Sequence, residues 1–242
     1  MAAPDWLLAT PFAHRGLHDA TRPENSLAAI AAAITAGFPV EIDVQESADG
    51  RAIVFHDWNL QRLAGREAWV HTLAAAEIRQ LRLLGTDQGI PVLEDVLALI
   101  AGRVPLLIEI KKRQRPGLLE PEIARVLREY RGPFAIQSFN PFSLGWFRKR
   151  HPEIIRGQIS CLFDTDDRAG WKKWILKNYG LNWLSRPQFL ADDWRRLPAT
   201  SPTLLRRFFG LPLLAWTVRS AEEKSAALRW ADNVIFEGFV PD

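Results

Sequence analysis

Cysteine is nearly missing from this sequence: Cys161 stands alone among 242 residues. No internal disulfide can form, and a reducing compartment is expected. A dominant charge sign is missing too. Lys and Arg total 31 against 28 for Asp and Glu, a net charge of +3. The cations recur along the chain instead of forming one block, which argues against nucleic acid as a partner. No run approaches the ~18 apolar residues of a membrane span. The start, MAAPDWLLATPFAHRG, has neither a basic beginning nor a long apolar stretch, so it does not read as a signal peptide, and a cytoplasmic location is expected. Repeats, low-complexity tracts and an internal linker are also lacking, and residues 1–242 read as a single domain.

What is there is ordinary for a globular protein, with 48% hydrophobic and 24% charged residues. The least ordinary stretch is residues 38–57, FPVEIDVQESADGRAIVFHD. Two β-like runs, 40–44 and 52–55, flank an Asp49-Gly50 turn signal. Val40, Ile42 and Val44 alternate with polar residues, so Glu41 and Asp43 project from one strand face together. Hairpin pairing would lay His56 roughly across from Asp43. Two adjacent carboxylates repel, and a hard cation is the usual reason to keep both ionised. A half-exposed hairpin with a polar face is the competing reading.

Around this stretch, strands alternate with helices. Strands are expected at 12–14, 105–110, 134–137, 154–160, 182–185, 213–218 and 233–236, besides the two of the hairpin. Helices are expected at 26–36 (with Asn25 as N-cap), 73–83 (capped by Thr72), 91–100, 120–130, 141–150, 170–178, 202–209 and 221–230. If 52–55 is only a hairpin partner, eight strands remain. That pattern predicts a (β/α)8 barrel of the TIM type with a small hairpin or insertion near residues 44–90. Active sites in that fold lie at the C-terminal strand ends. His14-Arg15, Glu41 with Asp43, Glu109 with Lys111, and Trp216-Thr217 all fall there, on separate strands. Glu109 is the lone acid of an apolar run, costly to bury unless paired or metal-bound.

Seven short motifs occur in order: His14-Arg15-Gly16, Pro23-Glu24-Asn25-Ser26, Glu41-Ile42-Asp43-Val44, His56-Asp57, Ile108-Glu109-Ile110-Lys111, Gln137-Ser138-Phe139 and Trp216-Thr217-Val218. In that order and spacing, from about residue 11 to the C-terminus, the chain resembles the glycerophosphodiester phosphodiesterases. The resemblance implies a TIM-type barrel that uses a divalent cation, commonly Ca2+ or Mg2+. It also implies hydrolysis of small-molecule glycerophosphodiesters to sn-glycerol 3-phosphate and an alcohol. It assigns Glu41, Asp43 and Glu109 to the metal, and His14 and His56 to acid/base catalysis. Three carboxylates suit Ca2+, Mg2+ or Mn2+ alike, and imidazole can serve as acid or base near neutral pH. Arg15 and Lys111 are the best phosphate partners. Asp57 could orient His56, Glu24 belongs to a motif the family places at its site, and Trp216 could present its ring to glycerol. A substrate hydroxyl that attacks first, giving a cyclic phosphate, and direct attack by water both stay open.

Two departures from the family pattern bear on the alcohol-side pocket. Of the Arg-Thr-Thr-like run after His-Asp, only Arg62 is kept, and the chain ends in Phe236-Glu237-Gly238-Phe239-Val240-Pro241-Asp242. The stretch GWKKWILKNYGLNWL sets Trp171 and Trp174 among Lys172, Lys173 and Lys177. It reads as a βα helix with one buried face, or as a weak contact with a membrane surface. Solvated loops are expected for Lys112-Arg113 with Arg115, and for Asp164, Asp166 and Asp167. The alternatives to the main reading are a lysophospholipase D or phospholipase C-like lipid phosphodiesterase, and a non-catalytic phosphodiester-binding barrel.

Overall fold

The computed structural model describes residues 3–112, 115–163 and 169–241. Arg113, the acidic run Asp164, Asp166 and Asp167, and Asp242 lie outside the described residues. The chain forms two compact units, Phe12–Phe134, and Met1–Pro11 with Ala135–Asp242.

The first unit is built on β2 (Val40–Glu46), which pairs parallel with β1 (Phe12–His14) and β4 (Leu106–Ile110) and antiparallel with β3 (Ala52–Val54). Val40, Ile42 and Val44 fill one face of β2, and Glu41, Asp43 and Gln45 the other, yet all six are buried. Asp49-Gly50 closes the predicted hairpin, with Gly50 at φ +76° and its N–H donating to the Ser47 carbonyl at 3.0 Å. The register sets Val44 opposite Val54, so Phe55, not His56, lies across from Asp43 and His56 falls one residue beyond. The insertion that follows buries its own cluster of Phe55, Leu60, Leu63, Val70, Ile78 and Leu83.

Two local expectations fail in this unit. Ser26, not Asn25, caps the helix Leu27–Thr35, its Oγ accepting the Ala29 N–H at 3.1 Å. The helix expected over 73–83 shrinks to Ala75–Ile78 behind a 3-10 turn, Val70–Thr72. Its apolar spacing serves the insertion's own small core: Ala75, Ile78 and Leu83 are buried there.

The second unit carries β5 (Phe134–Ser138), β6 (Arg156–Ser160), β7 (Phe189–Asp193), β8 (Leu213–Val218) and β9 (Asn233–Phe236). From β5 to β9 each strand pairs parallel with the next. Helices Pro141–Arg150, Gly170–Lys177, Thr200–Phe209 and Ala221–Ala227 connect them. The strand expected at 182–185 is instead the helix Asn182–Ser185, closed by Arg186 in the left-handed region. The strand proper is β7, whose Asp192 and Asp193 give it a loop-like composition although both are buried. Helix Gly170–Lys177 buries none of its residues, and Trp171 and Trp174 are 64% and 67% exposed, so the expected buried face is missing.

The fold is a (β/α)8 barrel of the TIM type with β3 as an additional strand. No helix among the described residues is long and apolar enough to cross a membrane.

Candidate active site

Strand register does most of the positioning. His14 on β1 stands beside Glu41 on β2, and Asp43 on β2 stands beside Glu109 on β4. Partners in a parallel ladder share a face, so these four side chains gather together, His14 and Glu109 from the C-terminal ends of β1 and β4 and Glu41 and Asp43 from within β2.

The loop after β1 explains why a glycine follows Arg15. Arg15 (φ 57°) and Gly16 (φ 82°) both adopt left-handed backbone, folding the chain back on helix Leu27–Thr35. A Cβ on Gly16 would sit 2.7 Å from the carbonyl carbon of Ala29, so only glycine fits there. This bend aims the Arg15 N–H at Glu41 Oε2, 3.2 Å away, and its guanidinium at Glu24 (2.6 Å) and Asp43 (3.1 Å).

Glu41, Asp43 and Glu109 each offer a carboxylate oxygen, and these atoms lie within 4.8 Å of one another. Burial, and then the Asp43 and Glu109 charges, push the Glu41 carboxyl well above the usual range; Arg15 relieves only part of this. Burial pushes Asp43 up as well, but Lys111, Arg15, His56 and His14 overcome it and hold that carboxyl well below the usual range. Lys111 Nζ lies 3.3 Å from Glu109 and 3.5 Å from Asp43. Burial pushes its ammonium down, and those two carboxylates more than reverse the effect. The donor set is all oxygen and carries excess negative charge in a nearly dry setting, which fits a hard divalent cation.

His56 Nδ1 lies 2.7 Å from Asp57 Oδ1. The loop that carries it is anchored by Gln45, whose Nε2 donates to the Phe55 and Asp57 carbonyls at 2.7 Å each. Arg62, the arginine kept from the family run, clasps two acids: Glu24 (2.8 Å to each oxygen) and Asp57 (2.5 and 3.0 Å). Glu24 bridges Arg15 and Arg62, and these cations outweigh burial to hold its carboxyl below the usual range.

Of the residues singled out from sequence, His14, Arg15, Glu24, Glu41, Asp43, His56, Asp57, Glu109 and Lys111 all belong to the first unit. Trp216 lies on β8 in the second unit, edge-on to Phe139 at 5.7 Å between centroids. Three supporting residues were not singled out as site residues from sequence. Asn25, read as a cap, instead donates from Nδ2 to Asp43 at 3.0 Å and accepts the Asp43 N–H at 3.2 Å. Gln45 shares the face of Glu41 and Asp43, a period-2 signal that was visible. Arg62 was flagged only as a remnant. Beside Lys111 a cavity of about 330 Å3 is lined by Trp58, Trp69, His71 and Lys112.

The chain is 29% identical to YhdW of Bacillus subtilis (strain 168) over 248 residues, 95% of this chain and 93% of the relative. It is 33% identical over 160 residues to the glycerophosphodiester phosphodiesterase of Caldanaerobacter subterraneus subsp. tengcongensis, covering 61% and 65% of the two chains. The fold matches a phosphodiesterase of Oleispira antarctica, solved in complex with the product sn-glycerol-3-phosphate, at a TM-score of 0.75 and 25% identity over 96% of this chain and 93% of that one. The profile of the glycerophosphoryl diester phosphodiesterase family matches residues 14–242. With nearly its whole length matched, this chain belongs to the glycerophosphoryl diester phosphodiesterase family and is a phosphoric diester hydrolase.

Proposed function

We propose that the protein hydrolyses glycerophosphodiesters to sn-glycerol 3-phosphate and an alcohol with a divalent cation at Glu41, Asp43 and Glu109. The observation that carries this reading is the crowding of these three carboxylates, two of them 1% exposed, within 4.8 Å of one another. A bound Ca2+, Mg2+ or Mn2+ supplies positive charge against the phosphodiester anion. Arg15 and Lys111 lie at the same strand ends, where each can turn from its carboxylates to a phosphate oxygen.

In this reading His14 and His56 form the acid/base pair. Asp57 against Nδ1 favours the tautomer with its proton there, so the His56 Nε2 lone pair accepts the proton of the attacking hydroxyl or water. His14 then donates to the leaving oxygen. The cavity beside Lys111, with Trp58 and Trp69 in its wall, takes the alcohol. Residues 1–242 are taken as one catalytic domain, of which the family matches 14–242.

The test is release of glycerol 3-phosphate from glycerophosphocholine and glycerophosphoethanolamine, with EDTA, Ca2+, Mg2+ or Mn2+. His14→Ala and His56→Ala are run in parallel. Release that requires the cation and both histidines supports the reading. Release that persists in EDTA removes the metal from it, and release that survives either substitution removes that histidine. A second reading, cleavage of lysophospholipids at a membrane surface, is favoured by the exposure of Trp171, Trp174 and Trp183 beside Lys172 and Lys173. Faster turnover of lysophosphatidylcholine than of glycerophosphocholine would select it.

A further inference from the structure

At the N-terminal ends of β6 and β7 lies a second cavity, of about 530 Å3, lined by Arg148, Lys149, Arg156, Arg186, Pro187 and Gln188. None of these residues belongs to the carboxylate site. The lining carries four cations and no acid.

Arg156 is the informative member. It is 4% exposed, and a buried charge is normally paired with an opposite one. Its guanidinium instead meets only backbone: Nε donates to the Ser185 carbonyl at 3.5 Å, and Nη1 to the Ile154 and Pro152 carbonyls at 2.5 and 3.3 Å. Nη2 makes no hydrogen bond among the described residues. The backbone around it is locked, because Gln188 accepts the Arg156 N–H at 2.9 Å and donates its own N–H to the Arg156 carbonyl at 2.7 Å. Glu153 is the one carboxylate that Arg156 feels, and it is exposed on the surface and paired with His151 at 3.3 Å. Burial, and then the neighbouring Arg148, push the Arg156 guanidinium below its ordinary range.

Arg148 and Lys149 occupy the last turn of helix Pro141–Arg150, where the helix dipole by itself favours cations. That explanation does not reach Arg156, which starts a strand and is buried. A buried guanidinium with a free nitrogen, beside two further guanidinium groups and an ammonium, has the chemistry of an oxyanion receptor. We propose that this cavity binds a tetrahedral phosphate oxyanion. The free phosphate ion and the phosphomonoester that the proposed reaction releases share this chemistry. The site itself does not depend on the catalytic reading; only the phosphomonoester as its source does.

The test is calorimetric titration of the full chain with inorganic phosphate and, separately, with glycerol 3-phosphate, in EDTA at fixed ionic strength. The same titrations are run on Arg148→Ala/Arg186→Ala, two partly or fully exposed positions, after circular dichroism shows the fold retained. The expected result is saturable binding of one phosphate per chain, weakened at least tenfold in the double variant. Glycerol 3-phosphate binding at least tenfold tighter in the event lost from the variant makes the product the occupant; equal affinities make it phosphate itself. No binding to the unaltered chain, or equal binding by the variant, overturns the proposal.

Discussion

Asn25 and Asp43 hold each other by two hydrogen bonds, one from the Asn25 amide to the Asp43 carboxylate and one from the Asp43 backbone to the Asn25 carbonyl oxygen. Both residues are 1% exposed, and Asn25 sits at φ 59°, a region that asparagine tolerates better than most residues. Asn25→Ala therefore strands a buried N–H and strains the backbone, costing about 1–3 kcal/mol. Ser26→Ala removes only the helix cap, at about 1 kcal/mol. Urea unfolding of both variants, with turnover measured beside it, separates the roles: Asn25→Ala should lose activity and Ser26→Ala keep it. Equal effects from the two would mean that Asn25 is no more than part of the helix start.

The 2.7 Å contact between His56 and Asp57 predicts unequal losses. His56→Ala removes the proposed proton carrier and should lower kcat by about 10²–10⁴. Asp57→Asn keeps the ring and weakens only its orientation, a loss of about 10–100-fold. Steady-state kinetics on the two variants checks the order. Equal losses would place Asp57 in the proton transfer itself.

Glu41 is buried beside two other acids with only partial relief from Arg15. Removing its charge should relieve the protein without metal while spoiling the proposed cation site. Glu41→Gln is expected to raise the melting temperature in EDTA and to abolish the further rise on adding Ca2+, Mg2+ or Mn2+. Scanning calorimetry with and without each cation reads both effects. A lower melting temperature in EDTA would mean that the Glu41 charge is already compensated within the protein.

These relationships show where sequence reading works and where it stops. The alternation of Val40, Ile42 and Val44 with Glu41 and Asp43 is a strand signal, and a strand fixes which side chains share a face. The partnership of Asp43 with Glu109 needs the register between strands 66 residues apart, which no local pattern carries. Asn25 was misread because a polar residue before an alanine-rich helix satisfies capping rules, and Ser26, one position later, satisfies them equally. The β7 strand escaped notice because Asp192 and Asp193 look solvated. They are buried because Arg196 reaches Asp192 at 2.7 Å, Tyr179 reaches it at 2.9 Å, and Arg195 reaches Asp193 at 2.5 Å.

Cys161, the chain's one cysteine, is predicted to be inert. Burial pushes its thiol up to about 11. A free thiol titrates near ~8.5, so the thiolate fraction at pH 7.5 should be lower by about two orders of magnitude. Iodoacetamide should modify it about 100-fold more slowly than free cysteine, with the rate still climbing above pH 9. Mass spectrometry over time measures this, and rapid labelling at pH 7.5 would contradict it.

Arg62 belongs to the insertion between β3 and β4, yet its guanidinium spans the acid that steadies Arg15 and the acid that steadies His56. The insertion can be excised on paper, since it enters and leaves the barrel between successive strands. In practice an insertion grafted here would have to bring an arginine at this position, or Glu24 would keep only Arg15 and Asp57 only His56 as a partner. Replacement of the insertion in this chain is thereby constrained by a single guanidinium, which a graft has to supply before its loop length matters.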